Sequence, residues 1–257
     1  MIRVTIWNEY VQEQLDVRVF PFQENLSEKH RKWGIDRAVE IKAVHTSGAI
    51  HDTLKGIMDE CDDIEVRHIA TLEMPECGLT EDVLDDTDVL FWWSLLAQDQ
   101  VPYEIAMRVQ SHVQRGMGMI FLHSAHMSRP MQLLLGTTCT LRWREGDKSL
   151  IWCCNPAHPI AKGVTNGIYL EVEEMYGEYF DIPEPDELVF ISGFGGGEVF
   201  RSGCVWNRGY GKIFYFQPGH ETNRSYFNPD VRKIIQNAVH YVARQCEKQQ
   251  KIECLAV

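Results

Sequence analysis

The sequence has no excess of basic residues. Lysine and arginine total 25 against 37 aspartate and glutamate residues, which gives a net charge of −12 over 257 residues. A chain of this charge is repelled on average by a phosphate backbone or an anionic membrane surface. We therefore expect neither nucleic acid nor a membrane as a partner.

Cysteine pairs and long apolar runs are also missing. The eight cysteines include no Cys-x-x-Cys motif, and the adjacent Cys153 and Cys154 cannot easily bridge to each other. No apolar run approaches the ~18 residues of a membrane-spanning helix, and residues 2–7 form a strand pattern rather than a signal peptide. These absences predict reduced cysteines and a cytoplasmic protein.

Short apolar runs alternate with helical patterns along the first half of the chain. Strands are predicted at 2–7, 64–70, 88–93 and 117–122, and helices at 48–60, 80–86, 102–115 and 126–136. This order is typical of βαβ units and predicts an α/β fold with a parallel sheet flanked by helices.

The second half predicts a β-rich elaboration on that sheet. Residues 138–216 contain mostly strand and turn patterns, 213–216 resemble a buried central strand, and 230–244 form a closing helix. We predict one domain over 1–245 and a frayed tail over 246–257. The charged segment 11–47 could be a long loop or an extra helix, and the sequence leaves its role open.

Ligands of parallel sheets bind beyond the carboxyl ends of the strands. Four such ends carry residues suited to chemistry: Asn8 and Glu9, Trp92 and Trp93, His123 to His126, and His220 with Glu221. We therefore expect these side chains to meet in one pocket.

Histidines are the main candidates for chemistry at this edge. His123 and His126 flank a strand-to-helix junction, where imidazoles can bind metal, transfer protons or hydrogen-bond a substrate, although two structural histidines would give the same pattern. His220 precedes a carboxylate, Glu221. Ser124 lies where a nucleophile elbow would present it, but Leu122 and His126 are not the small neighbours that an elbow needs.

Two further segments suit sugar binding. Glu174, Tyr176 and Glu178 are two residues apart, so an extended chain would place all three on one face, either in a pocket or in water. Arg142 and Trp143 belong to an Arg-Trp-Arg triplet that could clamp a carboxylate, stack on a sugar or form surface ion pairs.

Several segments together resemble the trehalose-utilization protein family. The resemblance covers most of the chain from residue 2 to about residue 244. It rests on these segments: Ile6-Trp7-Asn8-Glu9, Val89-Leu90-Phe91-Trp92-Trp93, Leu122-His123-Ser124-Ala125-His126, Leu135-Gly136-Thr137-Thr138-Cys139, Met175-Tyr176-Gly177-Glu178, Phe200-Arg201-Ser202-Gly203-Cys204 and Pro218-Gly219-His220-Glu221-Thr222.

The resemblance implies a flavodoxin-like, class I glutamine amidotransferase-like fold. It also implies a bacterial cytoplasmic protein of disaccharide catabolism that acts on a keto sugar made by a partner sugar dehydrogenase. The catalytic cysteine of the amidotransferases has no counterpart, since His123-Ser124 stands at the elbow, so glutamine hydrolysis is not expected. Ser94, Leu95 and Gln98 replace a Gly-His pair and a second histidine of the family pattern.

We interpret the chain as an enzyme that hydrolyses, eliminates from or isomerises a sugar derivative. His123, Ser124, His126, Glu178 and His220 are the predicted catalytic residues. The predicted sugar-binding residues are Asn8, Glu9, Trp92, Trp93, Arg142, Trp143, Glu174, Tyr176 and Glu221.

A divalent metal such as zinc is the cofactor that His123, His126 and His220 could bind. The alternatives are a sugar-binding or regulatory module without turnover, and a purely structural subunit. A homodimer or larger oligomer is expected on general grounds.

Overall fold

The computed structural model describes residues 1–14 and 28–244, with the backbone alone described over 28–35. The predicted tail at 246–257 lies outside the described residues, as does 15–27 within the segment whose role the sequence left open. None of the helices in the described part of the chain is long and apolar enough to cross a membrane.

Nine strands and six α-helices form the described fold. The strands are β1 (Ile2–Asn8), β2 (Ile64–Thr71), β3 (Val89–Trp93), β4 (Gly118–Leu122), β5 (Arg142–Cys153), β6 (Ile168–Gly177), β7 (Glu187–Phe194), β8 (Val199–Arg208) and β9 (Gly211–Phe216). The helices are α1 (Glu28–Val44), α2 (Ile50–Met58), α3 (Glu81–Asp85), α4 (Tyr103–Gln114), α5 (Arg129–Leu135) and α6 (Pro229–Val242).

All nine strands belong to one mixed sheet in the order β2-β1-β3-β4-β9-β8-β7-β5-β6. The pairs from β2 to β9 are parallel, and the pairs from β9 to β6 are antiparallel. The predicted α/β class is therefore confirmed, and the β-rich elaboration is the antiparallel half of the same sheet.

The central strands bury side chains on both faces. Ile6, Phe91 and Phe214 pack on the face that α2 and α6 cover, whereas Trp7 and Trp92 pack on the face covered by α4 and α5. A strand covered on both sides has no polar face, which explains its continuous apolar sequence. The ring centroids of Trp7 and Trp92 lie 3.9 Å apart in a stack.

Local sequence signals explain where the helices begin and end. α5 ends at Leu135 and is capped by Gly136, whose φ of 73° is in the left-handed region that glycine adopts without steric cost. α6 begins at Pro229, after the Asn228 side chain accepts hydrogen bonds from the backbone of Asp230 and Val231. Both ends agree with the predicted helices to within about two residues.

The close contact between β4 and α6 yields a test of the packing. A Cβ at Gly118 would collide with the carbonyl group of Val242, so we expect Gly118→Ala to destabilise the fold by about 1–3 kcal/mol. Gly56 in α2 has open space around its Cα, and Gly56→Ala should stabilise by about 0.5–1 kcal/mol. Urea unfolding measures both, and equal effects from the two substitutions would contradict this packing.

Candidate functional site

The candidate site begins where β4 ends. Leu122 is followed by a 3₁₀ helix over His123–Met127, and His123 has a φ of 50°, which residues other than glycine seldom adopt. Backbone strain of this kind is concentrated at functional sites. The turn directs the imidazole of His123 toward β6 and the loop after β9.

His123 forms a buried ion pair with Glu174. Its Nδ1 donates to the carbonyl oxygen of Gln217 at 2.8 Å, and its Nε2 lies 3.0 Å from Oε2 of Glu174. Burial alone lowers the pKa of His123, but the hydrogen bond and charge of Glu174 outweigh it and raise the pKa to about 9. The pKa of Glu174 shifts in the opposite direction. Burial would raise it, but the hydrogen bond and charge of His123 hold it below its usual range.

His220 and Glu221 lie beside this pair on the loop between β9 and α6. Nε2 of His220 is 3.6 Å from Oε2 of Glu145 and 3.7 Å from Oε2 of Glu221. Burial, followed by the charge of His123, lowers the pKa of His220 to about 3, so its imidazole is neutral. Burial raises the pKa of Glu221 to about 7.

These groups open into a cavity of about 290 Å³. It is lined by Arg37, Leu95, Leu96, Gln98, Ser124, His126, Met127, Thr140, Leu141, Trp143, Glu145, Glu174, Tyr176, His220 and Glu221. The polar side chains from β6 and the β9–α6 loop are buried at its base, whereas Trp143 is 62% exposed at its rim. His123 does not line the cavity but lies behind Glu174 and Tyr176, with its ring stacked on Tyr176.

Three side chains could hold a metal ion. One ligand atom each from His123, Glu174 and His220 lies within 4.8 Å of the other two. Two histidines and a glutamate are the ligand set of many catalytic zinc sites, and the bond from His123 to a backbone carbonyl is typical of metal-binding histidines. The donor set therefore fits a divalent cation.

His126 does not join that cluster. Its Nδ1 bonds to the carbonyl oxygen of Cys139 at 2.7 Å, and burial lowers its pKa to about 4. The structure thus brings His123 and His220 together with Glu174 instead of the predicted His126.

The predicted tryptophans Trp92 and Trp93 lie in the core. They are 0% and 1% exposed, so neither ring offers a face to a ligand. Their indole nitrogens bond to Ser94 and to the carbonyl of Gly219. Both tryptophans were predicted to bind a ligand because they lie at the end of a strand. That strand, β3, is central in the sheet, so its last residues are still covered on both sides.

Asn8 and Glu9 lie at the predicted edge of the sheet, but their side chains bond to neighbouring parts of the chain and do not line the cavity. The side chain of Asn8 donates to Glu13 at 2.6 Å. The buried carboxylate of Glu9 accepts from the backbone N–H of Leu95 at 3.1 Å and of Leu96 at 2.8 Å. Neither residue lines the cavity, and Glu9 holds a loop that does.

The Arg-Trp-Arg triplet divides between cavity and surface. Trp143 reaches the rim, whereas Arg142 is exposed and does not line the cavity. Arg144 forms ion pairs with Asp147 and Glu198, in agreement with the surface interpretation.

Glu178 is separated from Glu174 and Tyr176 because β6 ends at Gly177. Its carboxylate binds Nε and Nη2 of Arg201, each at 2.9 Å, and the backbone N–H of Phe180. Burial would raise the pKa of Glu178, but Arg201 and two backbone donors lower it below its ordinary value. Of the three residues predicted to share one face, Glu174 and Tyr176 do so and line the cavity, whereas Glu178 does not.

Ser124 lines the cavity, and its Oγ has no hydrogen-bond partner among the described residues. No histidine of the described part of the chain hydrogen-bonds to that Oγ, so the arrangement there is not that of an activated nucleophile elbow. Leu95 and Gln98 also line the cavity, which means that two departures from the family pattern fall on its wall.

Three charged side chains in or beside the cavity were not predicted from the sequence. Arg37 of α1 lines the cavity, and its guanidinium lies 2.7 Å from Glu145 and 3.6 Å from Glu221. Glu173 is fully buried beside Glu174. Only the adjacency of two acids could have pointed to Glu173, and nothing in the local sequence signals Arg37 or Glu145.

Comparison with known proteins agrees with the fold. The family model described as ThuA, trehalose utilisation, matches residues 3–242. A ThuA-like protein from Parabacteroides merdae is 14% identical, with a TM-score of 0.64 over 98% of this chain and 92% of that one. PurLQS from Thermotoga maritima is 12% identical, with a TM-score of 0.51 over 93% and 98% of the two chains.

A third similar structure is the cytoplasmic protein STM3548 from Salmonella typhimurium. It is 14% identical, with a TM-score of 0.54 over 75% of this chain and 87% of that one. No curated protein matches the chain. Identities this low show the fold alone, and the glutamine amidotransferase-like architecture is confirmed.

The pairing of Glu178 with Arg201 predicts an acid-sensitive contribution to stability. We expect Glu178→Gln to destabilise by about 1–3 kcal/mol at neutral pH, because it removes the charge on Arg201's partner. The folded-state pKa of Glu178 is depressed, so this contribution is present above the ordinary value of 4.5 and is lost as pH falls below it. Urea unfolding of wild type and variant between pH 3 and 7 measures the difference, which should shrink toward acid.

The control is Glu184→Gln, at an exposed position. It should leave stability within about 0.5 kcal/mol of wild type. If Glu178→Gln left stability unchanged but abolished ligand binding, Glu178 would be a ligand-binding residue, as the sequence predicted.

Proposed function

Because this chain belongs to the ThuA, trehalose utilisation, family, we propose that it is an enzyme of carbohydrate catabolism that acts on a keto derivative of a disaccharide. The supporting observation is the convergence of Glu174, His220 and Glu221 on one cavity, with His123 paired to Glu174 from behind. A cytoplasmic sugar dehydrogenase would supply the keto group, and a homo-oligomer is the assembly that we expect.

The size of the cavity favours one sugar ring inside it. Its volume of about 290 Å³ is just below the ~300–1,000 Å³ typical of small-molecule sites. A second ring would extend past the rim, where the exposed indole of Trp143 offers a flat apolar face. Leu95, Leu96 and Leu141 add apolar wall, which suits an uncharged ligand.

The chemistry we infer is proton abstraction next to a carbonyl group. A keto group acidifies the neighbouring C–H, so a carboxylate can begin hydrolysis, elimination or isomerisation by removing that proton. We assign the abstraction to Glu221, because Glu174 is engaged by His123. The neutral imidazole of His220 is within reach of the same ligand and would hydrogen-bond its oxygen.

A divalent cation such as zinc, held by His123, Glu174 and His220 in place of the proton between His123 and Glu174, would supply Lewis-acid polarisation of the carbonyl. The remaining residues would bind and orient the sugar. Tyr176 and Trp143 would pack against it, and Arg37 would hold Glu221 and Glu145 in place through its ion pairs.

A sugar-binding module without turnover is the second candidate. The observation that favours it is the presence of Leu95 and Gln98 on the cavity wall, at positions where the family pattern has polar or metal-binding side chains. Such a module would bind the keto sugar in the same cavity and release it unchanged.

Turnover separates these two functions. Wild-type protein incubated with 3-keto-trehalose should form product that chromatography detects, and trehalose itself should remain intact. Glu221→Gln should lower kcat/KM by about 10²-fold or more, because the amide cannot take the proton. Glu171→Gln, at an exposed position of β6, serves as the matched control.

Thermal stabilisation by the keto sugar without product would favour the binding module. Absence of both product and stabilisation would contradict the proposed substrate.

Metal content tests the ligand set. Plasma mass spectrometry of protein purified without a histidine tag or chelator should find about one divalent metal per chain, lost in Glu174→Ala and His220→Ala. His126→Ala is the matched control, because His126 lies in the same cavity outside the cluster, and it should retain the metal. Metal-free wild type would contradict the metal centre and leave acid–base chemistry alone.

A further inference from the structure

Glu173 is a fully buried carboxylate next to a residue of the proposed site. It lies on β6 beside Glu174, and its side chain is 0% exposed. The side chain of Glu174 contacts His123, whereas the carboxylate of Glu173 contacts the loop between β9 and α6. No ion pair is found for Glu173 among the described residues, so its charge is compensated by hydrogen bonds.

Five donors converge on this one carboxylate. Three are backbone N–H groups, from Gly219 at 3.1 Å, His220 at 3.3 Å and Glu174 at 2.9 Å. The other two are the side chains of Asn223 and Ser225. A backbone N–H can only donate, and both carboxylate oxygens receive one, so only a group with two acceptor oxygens satisfies the arrangement.

The loop needs such an anchor because its backbone is unusual. Gly219 has a φ of 135°, and a Cβ there would collide with the hydroxyl of Tyr226. The carbonyl of Gly219 accepts from Nε1 of Trp93. The segment is thus fixed from β3 on one side and from β6 on the other, and the next residue is His220.

We propose that Glu173 is a positioning residue that fixes the backbone of His220 at its working distance from Glu174. It acts through the N–H groups of Gly219 and His220 and touches no ligand, since it does not line the cavity. Gln217 adds a parallel link, because its side chain donates to the carbonyl of Glu174 and its own carbonyl accepts from His123. The part that concerns catalysis rests on the proposed function.

Glu173→Gln tests this role with almost no change of shape. The amide presents N–H where a backbone N–H already points, so one contact with the loop becomes repulsive. We expect amide hydrogen exchange at Gly219 and His220, measured by NMR, to accelerate about tenfold or more, while β1 to β4 keep their protection. Glu171→Gln, the same substitution at an exposed position of the same strand, should exchange like wild type.

The exchange result stands apart from the reaction. Unchanged exchange at Gly219 and His220 in Glu173→Gln would overturn the proposal, whatever the activity. If Glu173→Gln unfolds, Ser225→Ala removes one donor and should accelerate exchange at the same two amides by about threefold, and no acceleration would overturn the proposal.

Activity provides the second readout. In Glu173→Gln we expect kcat to fall about tenfold or more per folded molecule with KM near the wild-type value, because the ligand contacts are intact and the alignment of His220 is lost. A kcat equal to that of wild type would overturn the positioning role. Wild-type protein that turns over nothing would sink the proposed function, while the exchange data would still decide the role of Glu173.

Discussion

The buried pair of His123 and Glu174 is the interaction on which the site depends. His123 follows β4 and Glu174 lies on β6, five places away in the order of the sheet, yet their side chains lie 3.0 Å from each other. A buried charge is costly unless it is paired and hydrogen-bonded, and here both charges are. Removing either partner would leave the other charge unpaired in the interior.

That contact requires the antiparallel half of the sheet to return over the carboxyl ends of the parallel strands. The pairing of β5 with β6 is interrupted at two positions, between Arg144 and Asp147 and between Asp147 and Ser149. Such irregularities bend a strand and increase its twist. Trp143, Glu174 and Tyr176, which lie on these two strands, all line the cavity together with residues that follow β4 and β9.

Two other buried carboxylates support the loops of the cavity without reaching it. Glu9 accepts from the backbone of Leu95 and Leu96, and Glu173 accepts from the backbone of Gly219 and His220. Glu9 is an acid that its sequence position assigned to ligand binding, whereas Glu173 was not among the predicted site residues. Rigid loops held from behind are what a preorganised site needs, since displacement of a reacting group by about 1 Å can cost ~10² in rate.

The sequence by itself determined the α/β class, the order of the elements and most of their boundaries, because periodicity, capping residues and glycine signals act over a few neighbouring residues. It also placed His123, His220 and Glu221 at one edge, since the carboxyl ends of parallel strands necessarily share it. Only the tertiary structure decided which side chains meet there. Trp92 and Trp93 are buried in the core, and Glu178 pairs with Arg201 outside the cavity. His126 does not belong to the cluster of His123, Glu174 and His220. Arg37 and Glu145 line the cavity, and Glu173 is buried beside it. These outcomes depend on how the antiparallel strands pair and on contacts between residues far apart in the chain, such as Arg37 with Glu221, which no local pattern encodes.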